Sequence, residues 1–294
     1  MRTWSKALVL AGLSWSGSAA LAQDADEIIV EGERPVDSEV IRQQVGQTYN
    51  GLELREPMQR YFDPICLQVH GLGEVANNQV AEMIRANVKE IGIPTAGDNC
   101  RTNALVIVVE DLAGLVDTLN KDNPRILPRE IRFRLDHQIR EGATDVAWHI
   151  EDHRGQYGDQ LKFGNDIPGQ TKGMSAQSKI NGNTRPSLAK NTYSMAVMSG
   201  AVAYDIDHLV GMELERLADH ATMRLLAPGF PEEWDASSGI ASILAPFVAD
   251  QGSVRLTRFD KAYLTALYSL PANAPGQALA SAVARAYEDD GNGG

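Results

Sequence analysis

Positive charge is the first shortage in this chain. Only 27 lysines and arginines stand against 39 aspartates and glutamates, a net charge of −12 at neutral pH. Such a chain repels phosphate backbones and anionic lipid head groups, which argues against nucleic-acid and membrane-surface partners. Cysteine is nearly absent, with two residues and no Cys-x-x-Cys. That excludes a thiolate metal cluster and a dithiol redox motif. Beyond the first residues, no window approaches the 18 or so apolar residues of a membrane-spanning helix. There is no Gly-x-Ser-x-Gly and no His-Glu-x-x-His. A hydrolase nucleophile elbow and the standard zinc-hydrolase helix are therefore missing. No repeat of fixed period occurs.

What is present begins at residue 1. Arg2 and Lys6 precede a compact apolar run from Ala7 to Leu13, and Ala20-Leu21-Ala22 has the small-x-small pattern that a signal peptidase cuts after. The expectation is a signal peptide over residues 1–22, cleavage near Ala22/Gln23, and a periplasmic or secreted protein. The apolar run is too short to anchor the chain, so no stable membrane insertion is expected.

The compartment decides how the thiols are read. In an exported protein, Cys66 and Cys100 are most simply a disulfide. Pro64 to Val69 reads as a short strand, Glu74 to Ile91 as an amphipathic helix, and Ala104 to Val109 as a fully buried strand. Strands joined through a helix run parallel, which brings Cys66 and Cys100 to one end of the sheet. Closing that loop stabilises by about 3–4 kcal/mol on the chain-entropy model.

Further along, helices are expected at Asp111–Leu119 and Pro128–Glu141, and a strand over Thr144–Asp152. Residues 155–191, rich in Gly, Ser, Asn and Gln, read as a long flexible loop or a loose hairpin. Thr192–Ile206 reads as one long strand with a bulge near Ser199-Gly200. Helices then follow at Met212–Ala227, Ile240–Val248, Ala262–Leu270 and Pro275–Glu288, with Thr257 as an N-cap. The expected fold class is α+β: a mixed sheet containing a parallel strand–helix–strand unit, with a helical C-terminal half. The organisation is a signal (1–22), an N-terminal arm and first helix (23–60), one domain (61–288) and a disordered tail (289–294).

Two segments could carry chemistry. Gly71-Leu72-Gly73-Glu74-Val75-Ala76 sits between a strand and a helix, as a dinucleotide-binding turn would. The nearest acid ending the next strand, Glu110, lies too far along, so a tight structural turn is expected. His149-Ile150-Glu151-Asp152-His153 is the stronger candidate. On a strand His149, Glu151 and His153 share a face, while Val146, Trp148 and Ile150 point to the core. Two imidazoles and a carboxylate suit zinc, with Asp205 or Asp207 as a supplementary ligand. Asp219-His220-Ala221-Thr222-Met223-Arg224 lacks the zinc-hydrolase pattern and reads as an ordinary helix face.

Several segments carry a resemblance: Pro64-Ile65-Cys66 with Cys100-Arg101-Thr102-Asn103, Ala147-Trp148-His149, Arg216 to Arg224, Leu256 to Leu264, and Leu267-Tyr268. Together they resemble a family of uncharacterised secreted proteins from alphaproteobacteria. The resemblance implies export and no stated activity. A mixed sheet followed by a long helix and a helical C-terminal part is also similar in architecture to zincin metallopeptidases, without their His-Glu-x-x-His motif. The expected function is a non-catalytic envelope or secreted binding protein without a cofactor, its partner a protein or envelope component and its adaptable surface the Gly-rich 155–191 loop. The alternative is a metal-dependent, hydrolase-like enzyme using zinc at His149, Glu151 and His153.

Overall fold

The computed structural model describes residues 36–48, 55–97, 99–122, 126–163, 179–180, 191–229, 236–245 and 255–291. The expected signal peptide, the extreme C-terminus and most of the expected 155–191 loop lie outside them. The described residues all belong to a unit spanning Val36–Gly294.

The first element is α1 (Ser38–Thr48), followed by β1 (Gln59–Arg60) and β2 (Leu67–His70). Helix α2 (Glu74–Glu90) leads to β3 (Ala104–Val109), and β3 to α3 (Leu112–Asp122) and α4 (Arg129–Arg140). Two long strands, β4 (Asp145–Gly155) and β7 (Tyr193–Asp205), flank a short hairpin of β5 (Lys162–Phe163) and β6 (Lys179–Ile180). Three helices close the chain: α5 (Leu214–Leu226), α6 (Arg258–Ser269) and α7 (Gly276–Gly291).

The sheet is mixed, as its residues dictate. β2 pairs parallel with β3 from Leu67–Ala104 to His70–Ile107, and β3 pairs parallel with β7 from Ala104–Gly200 to Val109–Asp205. β1 joins β7 end to end with β3, through Gln59–Met195 and Arg60–Ala196. β4 runs antiparallel along the other side of β7. Strand β3 is apolar at every position because both its faces are covered. Ala104, Val106 and Val108 enter the core that includes α2 and α5, while Leu105, Ile107 and Val109 pack against the core under α3 and α4. Only Leu67 and Val69 are buried in the edge strand β2, and Gln68 and His70 are exposed. The result is three layers, with α2, α5 and the C-terminal helices on one face and α3 and α4 on the other.

Helix α5 is central: ten of its thirteen residues are buried. This corrects the surface reading of Asp219 and His220, which are 2% and 3% exposed. Asp219 accepts hydrogen bonds from Asn87 Nδ2 (2.7 Å), Arg255 Nε (2.8 Å) and the Leu256 amide (2.9 Å). It thereby joins α2, α5 and the approach to α6. His220 Nδ1 and the Tyr204 hydroxyl are hydrogen-bonded at 2.8 Å.

Three local readings change. The segment after Ile240 is not a helix over its described residues. The Asp260 carboxylate takes the Ile243 amide (2.8 Å) and the Ser242 hydroxyl (2.5 Å), so the chain wraps the start of α6 instead. Helix α7 continues past Glu288 to Gly291. The β7 irregularity falls one residue earlier than expected: Ile150 pairs with Ser199 and Glu151 with Val197, leaving Met198 as the extra residue.

The disulfide joins Cys66 and Cys100, Cα atoms 5.9 Å apart, at the end of the sheet where β2 and β3 begin. Within the same corner, Asn103 Oδ1 accepts the Cys66 amide at 2.8 Å. No helix among the described residues is long and apolar enough to cross a membrane.

Candidate functional site

The alternation expected in β4 is visible in its packing. Val146 and Trp148 are buried in the core under α3 and α4, and Ile150 packs against it. Of the residues between them, His149 and Glu151 line one cleft with different bonding partners, and His153 lies outside it.

His149 turns to the end of α5. It is 5% exposed, and its Nε2 lies 2.9 Å from the Leu225 carbonyl oxygen. A carbonyl only accepts, so Nε2 carries the proton. The last carbonyls of a helix lack intrahelical donors. Here His149 serves one of them, and the Tyr268 hydroxyl serves its neighbour, Leu226, at 3.1 Å. Burial, with the nearby Arg224 and Arg134, pulls the His149 pKa down to about 4 against the opposing hydrogen bonds to carbonyls, so the ring is neutral. Gly200 lies opposite His149 in the sheet. A Cβ there would stand 2.4 Å from the Tyr61 hydroxyl and 2.8 Å from His149 Cδ2. The absence of a side chain is what lets both rings close over β7.

Glu151 points into a cleft of about 270 Å³ lined by residues of β1, β4 and the start of α4. Gln59 Nε2 donates to Glu151 Oε2 at 2.7 Å. Arg134 brings a guanidinium to the same cleft, and Pro128, Ile131 and Ile150 form its apolar walls. Glu151 is exposed on one side. Its burial on the others pushes its pKa up to about 7, with Arg134 pulling the opposite way. Water at the open side screens that shift, so it bears on what the cleft binds more than on fold stability. Arg134 is itself lowered to about 10 by burial and by Arg224.

His153 is exposed, its ring 5.1 Å from that of Tyr193. Asp205 lies at the far end of β7, five residues from the Gly200 that faces His149, which is roughly 17 Å at strand spacing. Its carboxylate accepts the Asp207 amide at 3.0 Å. Neither aspartate is brought to His149, Glu151 or His153. Among the described residues no group of three or more His, Cys, Asp or Glu is arranged to hold a metal ion. The donor set fits zinc poorly, since His149 is buried with its Nε2 on the Leu225 carbonyl while His153 is exposed beside Tyr193, and the three side chains form no such group.

The Gly71-Leu72-Gly73 turn is tight: Gly71 has φ +109, and a Cβ there would stand 2.0 Å from the Val108 carbonyl oxygen. Glycine is required by the close approach of β3. The residues that sequence reasoning missed are Gln59 and Arg134. Both are polar residues on elements whose position only the fold supplies, and the one signal pointing at them was the isolated carboxylate of Glu151.

Comparison with known proteins finds no matching family model, no matching curated protein and no matching solved structure.

Proposed function

We propose that this chain is an exported, non-catalytic binding protein that recognises an envelope component or partner through the cleft beside β4. The observation that carries the reading is the division of labour along β4. The histidine best suited to chemistry lines the cleft but has its Nε2 tied to the Leu225 carbonyl, while the neighbouring carboxylate faces the same cleft beside an amide, a guanidinium and apolar walls. Such a mixture, convergent polar groups beside apolar walls, suits a recognition site. The buried histidine of α5 and the buried aspartates of α5 and α6 are likewise engaged in structural bonds, His220 with Tyr204, Asp219 with Asn87 and Asp260 with the start of α6. The export part of this reading is supported by the signal-like N-terminal sequence and by the disulfide.

A thermal-shift screen of small polar compounds tests the reading, repeated on Glu151→Gln. A compound that raises the melting temperature of the natural protein and loses that effect in the variant supports it. If every stabilising compound acts equally on both proteins, the cleft is not the recognition site.

A further inference from the structure

Building on that reading, we propose that the cleft beside β4 binds a short peptide in zwitterionic form, its ammonium group held by Glu151 and Gln59 and its carboxylate by Arg134. Glu151 and Gln59 are already joined by one hydrogen bond, from the amide nitrogen to Oε2. With Glu151 ionised, above its pKa of about 7, the groups this leaves, the second carboxylate oxygen and the amide oxygen, are both acceptors. An ammonium group offers three donors and a positive charge to such a pair. Arg134 answers in the opposite sense, because its planar fork of donors matches a carboxylate. A lone anion entering the cleft would meet Glu151, and a lone cation would meet Arg134. A ligand with both charges satisfies both sides.

Size and lining narrow the class. The cleft, about 270 Å³ and open to solvent on one side, is of a size for a molecule as small as a dipeptide. Pro128, Ile131 and Ile150 supply apolar contact, which suits small aliphatic side chains. The exposed side of Glu151 is the way in.

Isothermal titration of the full chain with dialanine tests the proposal. N-acetyl-dialanine, which lacks the cation, and dialanine amide, which lacks the carboxylate, are the controls. Dialanine is expected to bind, and each blocked compound at least tenfold more weakly. Glu151→Gln and Arg134→Met are each expected to weaken dialanine at least tenfold while the protein stays folded by circular dichroism. Absence of dialanine binding at millimolar concentration, equal binding of the blocked compounds, or undiminished binding by both variants would overturn it. A different compound whose stabilising effect depends on Glu151 would leave the broader binding reading standing while the peptide proposal fails.

Discussion

His149 and Glu151 stand two residues apart on one strand and do opposite work. His149 closes the end of α5 through the Leu225 carbonyl in a buried setting, so its removal leaves both a cavity and an orphaned acceptor. His149→Ala is expected to cost about 2–4 kcal/mol in urea unfolding, with His149→Gln restoring part of it. Glu151→Ala, at an exposed position, is expected to stay within about 0.5 kcal/mol. Equal losses at the two positions would show that β4 is not divided in this way. The same neutral histidine sets a pH dependence. His149 and His220 both have pKa values lowered to about 4, chiefly by burial, against 6.5 in an unfolded chain. The unfolded state therefore binds more protons between those values, and stability falls as pH drops from about 6.5 to 4. The loss is on the order of 3 kcal/mol per histidine, fully recovered above pH 7. Unfolding free energies measured from pH 7.5 to 4.5 check it; the slope should shrink in Tyr204→Phe/His220→Leu.

Elements were legible to different degrees. The strand β3, the helix α2 and the start of α6 announce themselves through an unbroken apolar run, a buried stripe of Val80, Ala81, Ile84 and Val88, and a capping residue at Thr257. Two-residue β1 was illegible, because Gln59 and Arg60 carry no periodicity and become a strand only by pairing with β7. Arg60 has a second role of the same kind: its guanidinium donates to the Leu267 and Leu270 carbonyls at the end of α6, at 2.5 and 2.7 Å. The candidate site was half legible. Alternation gave the correct partition of β4, but the fate of His149 depends on Leu225, 76 residues away, and that of Glu151 on Gln59, 92 residues away. No local pattern encodes either distance. At the element scale, α6 offers the sharpest test. Asp260 is fully buried and accepts hydrogen bonds from the Thr257 and Ile243 amides and from Ser242. Thr257→Ala is expected to cost about 1 kcal/mol, as a lost cap does. Asp260→Ala is expected to cost about 2–4 kcal/mol, because it strands several buried donors. Similar small losses in both would mean that Asp260 acts as a cap alone.

At the scale of the whole molecule, one sheet is held between two helical layers and fastened at the beginning of β2 and β3 by Cys66–Cys100, 34 residues apart in sequence. Reduction is expected to lower the unfolding free energy by about 3–4 kcal/mol on the chain-entropy model, while the far-ultraviolet spectrum stays native in the absence of denaturant. A spectrum that collapses on reduction alone would place more of the fold's stability in the crosslink than in the two cores. In the proposed function β4 contributes a structural histidine and a recognition carboxylate rather than a metal centre. Elemental analysis of the protein, purified without an affinity tag and compared with its His149→Ala/His153→Ala variant, tests this most directly. The expected result is zinc well below one equivalent in the natural protein. Stoichiometric zinc that disappears in the variant would contradict the claim and establish β4 as a metal-binding strand.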